Sequence, residues 1–185
     1  MQYRKMPLLP DVVRLEPEVH YDTRGSFHET FRQADFAKHC GSRTFVQDNH
    51  IHSYEGVLRG LHYNPSHPQG KLVRVARGEI FDVAVDMREG SPTFGKWVGA
   101  ILSSTNKCQL WIPEGFAHGF VTLSSYAEVT YKATDYYQDG EVCLDWKDAD
   151  LNINWILSDG SIRTSDKDSK GLSLETAPTV KLSNP

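Results

Sequence analysis

Short segments rich in apolar and β-branched residues recur along the chain, and clusters of turn residues separate them, as is typical of strands. In chain order the predicted strands are Phe45–Asn49, Val57–Tyr63, Leu72–Ala76, Ile80–Met87, Lys96–Leu102, Gln109–Ile112, Gly119–Leu123 and Ala127–Thr134. A helix is predicted only at Arg32–His39, where Gly41 follows at a position suited to helix termination. Many strands without alternating helices predict an all-β sandwich or barrel and exclude a parallel α/β sheet.

Residue alternation within the strands indicates which side chains share a face. In the last predicted strand, Tyr131 has the same parity as its apolar neighbours and is therefore expected to face inward. Gln47 and Asn49 share a face with Phe45, which places two amides among apolar side chains. Such amides either satisfy backbone groups in an ordinary core or line a cavity. Between two further strands, Arg77-Gly78 predicts a hairpin turn.

The chain has 185 residues, 39% of them hydrophobic, which suits one domain spanning residues 1–185 with a loose C-terminal tail from about residue 172. Its 20 basic and 24 acidic residues give a net charge of −4, so a nucleic-acid or membrane-surface partner is not expected and an anionic ligand must be met by local cations. The three cysteines lack a CxxC spacing, and no apolar run has the length of a signal peptide or membrane span. These features predict a cytoplasmic protein.

Two histidine patterns are of a kind found at metal sites. His50-Ile51-His52 places two imidazoles on one strand face, and Pro113-Glu114-Gly115-Phe116-Ala117-His118 resembles a Pro-x-Gly-x-x-His element of cupin barrels. In metal-binding cupins, however, the glutamate stands farther from the His-x-His pair than Glu55 does here. We therefore expect no metal and no cofactor, with a metal-dependent cupin enzyme as an alternative.

Five ordered motifs carry a much more specific resemblance. They are Phe45-Val46-Gln47-Asp48-Asn49, Gly56-Val57-Leu58-Arg59-Gly60-Leu61-His62-Tyr63, Gln69-Gly70-Lys71-Leu72-Val73-Arg74-Val75, the segment Trp111–Phe120, and Tyr131-Lys132-Ala133-Thr134-Asp135-Tyr136-Tyr137. With these motifs the chain resembles the dTDP-4-dehydrorhamnose 3,5-epimerase family from about Pro10 to Lys170. The resemblance implies a metal-free, cupin-type jelly roll, usually a homodimer, that epimerises a dTDP-linked 4-keto-6-deoxyhexose.

The resemblance also implies the roles of the proton-transfer residues. His62 matches the general base, since an imidazole accepts a proton near neutral pH, and Asp168 matches the carboxylate that orients it, with the neighbouring Asp166 as an alternative. Tyr131 matches the general acid, because a phenol keeps its proton at neutral pH and can donate it to an enolate carbon.

Lys71 and His118 match the groups that stabilise the enolate oxygen. The resemblance assigns Arg24, Arg59 and Lys167 to the phosphate and nucleotide side of the substrate, where arginine can bind phosphate with two hydrogen bonds. The remaining substrate contacts that it implies are Phe27, Glu29, Gln47, Asp48, Asn49, Tyr137 and Glu141. It also implies that an N-terminal strand is exchanged between subunits, so that Phe27 or Glu29 serves the partner's site.

One implication conflicts with regular strand geometry. Uninterrupted alternation would place Arg59 and His62 on opposite sheet faces, although both are assigned to one cavity. Glycine inside a strand often marks a bulge, so we expect a bulge or strand break at Gly60. Inversion at carbons 3 and 5 is the expected activity; the sequence leaves open inversion at carbon 3 alone, and a sugar-nucleotide-binding protein without catalysis is the further alternative.

Overall fold

The computed structural model describes residues 1–156 and 161–182, and most of the regular structure in this part of the chain is β-strand. The strands are β1 (Gln2–Lys5), β2 (Val13–Glu16), β3 (His20–Asp22), β4 (Gly25–Phe27), β5 (Gln47–Tyr54), β6 (Leu58–Tyr63), β7 (Lys71–Arg77), β8 (Glu79–Asp86), β9 (Trp97–Ser103), β10 (Gln109–Ile112), β11 (Phe116–Thr122), β12 (Tyr126–Ala133) and β13 (Val142–Cys143). One α-helix, α1 (Gln33–Cys40), and one 3-10 turn, Asp168–Lys170, complete the elements.

Two antiparallel sheets form a jelly roll. The six-stranded sheet has the order β1-β2-β10-β7-β12-β5, and the five-stranded sheet has the order β13-β6-β11-β8-β9. Strands β3 and β4 form a separate hairpin. The predicted all-β fold is therefore confirmed, and no helix among the described residues is long and apolar enough to cross a membrane.

Apolar side chains fill the space between the two sheets because alternate residues of both sheets point inward. Val73 and Val129 of the six-stranded sheet pack in one cluster with Ala84, Leu102 and Phe120 of the five-stranded sheet. Tyr131 packs against this cluster, which confirms its predicted inward orientation. The two sheets thus enclose a common core, and polar side chains on these inner faces lie between the sheets.

The C-terminal segment covers the outer face of the five-stranded sheet, which contradicts the predicted loose tail. Ala177 and Val180 are buried against a cluster that includes Leu61 and Val83. The backbone N–H of Val180 donates to the carbonyl of Met87, so the segment is also held by hydrogen bonds. The segment was predicted to be loose because it is mostly polar, and its two buried residues form no pattern in the sequence. Residues 183–185 of the predicted tail lie outside the described residues.

Helix α1 covers the outer face of the six-stranded sheet. Its buried residue Phe36 contacts the ring of Trp111 edge-on, with 5.0 Å between ring centroids. The helix ends at Cys40, and the φ of 84° at the following Gly41 lies in the region that glycine adopts without strain. The predicted helix and its termination are therefore confirmed.

All the predicted strands are present, but the predicted hairpin at Arg77-Gly78 is wrong. Strand β7 pairs with β10 and β12, whereas β8 pairs with β9 and β11 in the other sheet. The chain therefore crosses between sheets at Gly78, since two strands joined by a short turn need not pair with each other in a sandwich.

A bulge at Gly60 confirms the prediction made for β6. Phe120 and His118, two residues apart on β11, pair with Arg59 and His62, which are three residues apart on β6. One extra residue in β6 restores the alternation, so Arg59 and His62 share the inner face while Leu61 packs on the outer side. A Cβ at Gly60 would lie 2.6 Å from the backbone of Gly119, so only glycine fits this close approach.

Candidate active site

A cavity of about 430 Å³ opens between the two sheets. Its volume falls within the range of roughly 300–1,000 Å³ that is usual for small-molecule sites. The predicted site residues that line it are Arg59, His62, Lys71, His118, Tyr131, Glu141, Lys167 and Asp168. The cavity therefore brings together every residue predicted to take part in proton transfer or enolate stabilisation.

His62 and Asp168 form a hydrogen-bonded pair on one wall of this cavity. Nε2 of His62 lies 2.5 Å from Oδ1 of Asp168, and Asp168 is buried at the start of the 3-10 turn. Of the two candidate carboxylates, Asp168 rather than the exposed Asp166 contacts the imidazole. Because Nε2 is engaged by the carboxylate, Nδ1 is the ring nitrogen left to accept a proton.

The surroundings of Asp168 favour its charged form. Burial by itself raises the pKa of the carboxyl group, but the hydrogen bond and charge of His62, with hydrogen bonds from Ser165 and the Gly60 backbone, outweigh it. The pKa of Asp168 therefore lies below its usual value. At neutral pH this carboxylate is ionised and can stabilise a positive charge on His62.

A second histidine–carboxylate pair lies beside the first. His118 is directly opposite His62 across β11 and β6, and its Nε2 lies 2.7 Å from Oδ1 of Asp82. Both members of the pair are buried, and Oδ2 of Asp82 has no hydrogen-bond partner within residues 1–156 and 161–182. The pair orients the His118 ring on the same face as His62.

The six-stranded sheet supplies the opposite wall with Tyr131 and Lys71. The Lys71 ammonium lies 5.8 Å from the centre of the Tyr131 ring. Burial, together with the charge of Glu141, raises the pKa of Tyr131, so the phenol keeps its proton at neutral pH. Burial lowers the pKa of Lys71, and the negative charges of Glu141 and Asp82 partly offset this effect.

Charged groups of opposite sign also line the cavity. The Lys167 ammonium donates to Glu141 at 2.5 Å, and this hydrogen bond is the main reason that the pKa of Lys167 is raised. Arg59 donates from Nε to the Ser53 hydroxyl at 2.9 Å, which aims the guanidinium along the inner face of β5. These cations can meet an anionic ligand that enters the cavity.

Gln47, Asn49 and Tyr137 form a hydrogen-bonded group next to the cavity without being among its lining residues. Gln47 donates to the Asn49 side-chain oxygen at 3.1 Å, and the Tyr137 backbone N–H donates to the Gln47 side chain at 3.0 Å. Asn49 pairs with Tyr131 across β5 and β12, so both side chains face inward. The Asn49 amide nitrogen is buried without a hydrogen-bond partner in the described part of the chain.

The other predicted contact residues lie away from the cavity in this chain. Arg24 and Phe27 belong to the exposed β3–β4 hairpin, where Arg24 pairs with Asp22 at 2.6 Å and Phe27 is 72% exposed. Glu29 pairs with Arg32. Asp48 lies on the outer face of β5, where Lys132 donates to it at 3.0 Å.

Sequence reasoning missed three residues at the site. Asp82 interrupts the apolar strand β8, and a buried charge in such a strand is the signal that could have found it. Arg163 lines the cavity from a polar segment that carries no strand pattern. Cys143 lies on the two-residue strand β13, with its Sγ 3.7 Å from Oδ1 of Asp168, and only the tertiary structure places it there.

The His50-Ile51-His52 motif does not contribute to the cavity. Its two histidines lie on the outer face of β5, whereas Ile51 between them lines the cavity. Among the described residues, the group of three side chains placed to ligate one metal ion is His62, Cys143 and Asp168. The histidine spacing that raised a metal hypothesis therefore marks an exposed strand face.

The fold and the cavity define a jelly-roll protein that carries acid–base groups on both walls of a central cavity. The model of the dTDP-4-dehydrorhamnose 3,5-epimerase family matches residues 7–176. The chain therefore belongs to this family of isomerases, which confirms the resemblance seen in the motifs.

Individual relatives agree with the family. A dTDP-4-dehydrorhamnose 3,5-epimerase from Neisseria gonorrhoeae is 61% identical over 150 residues, which make up 80% of this chain and 46% of that protein. The chain thus spans about half the length of this relative. The epimerase of the same name from Pseudomonas aeruginosa is 55% identical over 165 residues, covering 88% of this chain and 91% of that protein.

A solved structure extends the agreement to three dimensions. The crystal structure of dTDP-6-deoxy-D-glucose-3,5-epimerase from Legionella pneumophila, in complex with dTDP-4-keto-L-rhamnose, superimposes with a TM-score of 0.94. That protein is 43% identical, and the match covers 99% of each chain.

Proposed function

We propose that the chain converts dTDP-4-dehydro-6-deoxy-D-glucose into dTDP-4-dehydro-L-rhamnose by inverting carbons 3 and 5 of the sugar. The names of its relatives and the ligand bound to the Legionella pneumophila protein support this substrate class. The observation that carries the proposal is the placement of His62 and Tyr131 on opposite walls of one cavity. Inversion at a carbon requires a base on one face of the sugar and an acid on the other.

In the first step His62 removes the proton from a carbon next to the 4-keto group. The electron pair of the broken C–H bond forms an enolate, and Nδ1 of the imidazole takes the proton. The ionised Asp168 orients the ring and stabilises the imidazolium that results. The Lys71 ammonium and His118 stabilise the negative charge that develops on the enolate oxygen, which is usually the largest electrostatic contribution in such reactions.

In the second step Tyr131 returns a proton to the same carbon from the opposite face. The enolate electron pair forms the new C–H bond, and the phenol becomes a phenolate. His62 and Tyr131 then recover their starting protonation through exchange with solvent. The raised pKa of Tyr131 suits this role, because the phenol is fully protonated when the enolate forms.

The nucleotide part of the substrate requires cations and a flat contact. Arg59 and Lys167 lie in the cavity and can bind the diphosphate, for which Lys167 exchanges its present bond with Glu141. We propose that the exposed hairpin residues Arg24 and Phe27, together with Glu29, complete the site of a second subunit. Their exposure in the single chain supports this homodimer, because most of the Phe27 side chain is left open to contact a second subunit.

Isotope exchange tests the proposed reaction. We expect incubation with dTDP-4-dehydro-6-deoxy-D-glucose in deuterated water to incorporate deuterium at carbons 3 and 5, as read by NMR and mass spectrometry. His62→Ala should lower both exchanges by roughly 100- to 10,000-fold, the usual contribution of general acid–base catalysis. His39→Ala, which removes an exposed histidine on α1, is the matched control and should exchange like the wild type.

Three outcomes would contradict the proposal. Exchange at carbon 3 alone would establish a 3-epimerase, which the same acid and base can perform. Binding of the nucleotide sugar without exchange would establish a binding protein. Full exchange in His62→Ala would remove His62 from the mechanism.

A further inference from the structure

A third side chain with metal-ligand chemistry lies against the His62–Asp168 pair. The ligand atoms of His62, Asp168 and Cys143 all lie within 4.8 Å of one another, and Asp168 and Cys143 are buried. The Cys143 thiol lies 3.7 Å from Oδ1 of Asp168, the same oxygen that His62 contacts at 2.5 Å. None of the acid–base steps described above uses this sulfur atom.

Strand register explains why these three residues meet. Cys143 pairs with His62 across β13 and β6, and residues that are directly opposite in an antiparallel pair project to the same side. Asp168, the first residue of the 3-10 turn, reaches both from the adjoining segment. The cluster is therefore built by elements that the fold holds in place independently of any bound ion.

The donor set is one that zinc prefers. An imidazole nitrogen, a thiolate sulfur and a carboxylate oxygen are its usual protein ligands, and three protein ligands with one open position are typical of accessible zinc sites. With bonds of about 2.3 Å to sulfur and about 2.0 Å to oxygen, tetrahedral zinc separates these two atoms by roughly 3.5 Å, close to the separation present here. The His62–Asp168 contact would have to widen by less than about 1 Å. Two of the three ligand residues, His62 and Asp168, line the cavity, so a fourth ligand would reach the ion from there.

We propose that His62, Cys143 and Asp168 form a binding site for a thiophilic divalent cation such as Zn²⁺, and that the bound ion inhibits the enzyme. The inhibitory part rests on the proposed function, because the ion occupies the base and its carboxylate. On binding, the Cys143 thiol releases its proton to solvent and sulfur donates an electron pair to the metal; no atom changes oxidation state. A metal bound at Nε2 leaves the proton on Nδ1, so that His62 no longer accepts one from the sugar.

Cadmium binding tests the site without reference to catalysis. Cd²⁺ added to the chelator-treated protein should give the ultraviolet absorption band of a cadmium thiolate. We expect this band to be lost in Cys143→Ser and retained in the matched controls Cys40→Ser and Cys108→Ser, which remove the other two free cysteines. A band that persists in Cys143→Ser, or no band in the wild type, would overturn the proposed site.

If Cys143→Ser does not fold, Asp168→Asn answers the same question. It keeps the thiol and removes one ligand, so the cadmium dissociation constant should rise about tenfold or more. An unchanged dissociation constant would exclude Asp168 from the site and overturn the proposal.

Inhibition is measured separately, with each variant compared with its own metal-free rate. Zn²⁺ should abolish deuterium exchange into the substrate in the wild type, a chelator should restore it, and Cys143→Ser should need about tenfold or more Zn²⁺ for half inhibition. A cadmium band that depends on Cys143 without inhibition by Zn²⁺ would overturn the inhibitory part and count against His62 as the base. Absence of exchange in the metal-free wild type would instead contradict the proposed function and leave the cadmium result standing.

Discussion

Asp168 is a buried carboxylate whose contact with His62 links protein stability to pH. Its pKa is lowered in the folded protein, so its charged form stabilises the fold. This contribution is complete above the unfolded value of about 3.9 and is lost as the pH falls through the lower folded value. Between pH 5 and pH 3 we therefore expect the free energy of unfolding to fall more for the wild type than for Asp168→Asn.

Urea unfolding at the two pH values measures this difference. Asp166→Asn, an exposed neighbour that does not contact His62, is the matched control and should follow the wild type. If the free energy of unfolding fell equally with pH in the wild type and in Asp168→Asn, Asp168 would not be the carboxylate that is stabilised in its charged form.

Tyr131 allows proton removal and inversion to be separated. In Tyr131→Phe the base still forms the enolate, but the opposite face has lost its acid, so the His62 imidazolium returns a proton to the face from which it came. We expect epimerised product to fall by roughly 100-fold or more while deuterium still enters the substrate with its configuration retained. NMR of the recovered sugar in deuterated water distinguishes the two outcomes.

Tyr126→Phe changes a tyrosine on the opposite face of the same strand and serves as the control for this experiment. If Tyr131→Phe lost both deuterium exchange and inversion, Tyr131 would act before the enolate forms. Normal inversion in Tyr131→Phe would exclude it as the acid.

At the residue scale, the sequence allowed part of the site to be predicted. Parity alone placed Tyr131 inside, because its strand alternates regularly. The contact of Asp168 with His62 joins residues far apart in the chain, and it was predicted only by resemblance to a family. Asp82 was missed although its charge interrupts an apolar strand, and Cys143 was missed because the two-residue strand β13 shows no pattern in the sequence.

At the scale of the element, Gly60 determines which side chains enter the cavity. Its φ of 117° and the 2.6 Å that would separate a Cβ from the His118 carbonyl leave no room for a side chain. We expect Gly60→Ala to lower the free energy of unfolding by about 3 kcal/mol or more, through backbone strain and a clash between two strands. Because realignment of β6 would also move His62, epimerisation should fall with it.

Gly90→Ala is the matched control for strain without a clash. Gly90 has a φ of 71°, but a Cβ there would have no atom within 4 Å. This substitution should cost only about 1 kcal/mol in urea unfolding and leave activity intact. If Gly60→Ala and Gly90→Ala lowered the free energy of unfolding equally, the close approach of β6 and β11 would not be the reason for glycine at position 60.

Strands were predicted correctly where the alternation of apolar and polar residues continued over enough positions to be recognised. The segments with regular apolar alternation became β5 to β12, whereas β1, β2, β3, β4 and β13 are short or exposed and were not predicted. The prediction of a hairpin at Arg77-Gly78 was wrong for another reason. A turn signal shows that the chain reverses, but pairing across it depends on which sheet receives the next strand.

At the scale of the whole molecule, a net charge of −4 is compatible with an anionic substrate because the cations are unevenly placed. Arg59, Lys71, Arg163 and Lys167 all line the central cavity. The negative charges of Glu141 and Asp168 in the same cavity partly balance these cations. An anionic ligand would therefore be bound by individual cations in the cavity rather than attracted by a basic surface. The expectation of one domain stays a prediction, as does the cytoplasmic location.

The proposed exchange of hairpins between two subunits makes a prediction that only a dimer can satisfy. A His62→Ala subunit lacks the base but retains an intact β3–β4 hairpin, and an Arg24→Ala/Phe27→Ala subunit has the reverse defect. If each hairpin serves the other subunit's cavity, a mixed dimer contains one complete site and one doubly defective site. Unfolding and refolding the two inactive variants together in equal amounts should therefore restore about a quarter of the wild-type activity, since half of the dimers are mixed and each has one working site.

Each variant refolded alone is the control and should stay inactive. If the hairpin served its own subunit, no site in a mixed dimer would be complete and mixing would restore nothing. Gel filtration that finds only monomer at the assay concentration would contradict the arrangement directly. Recovery in the mixture would also explain why Phe27 is exposed in the single chain although the family resemblance assigns it to the substrate.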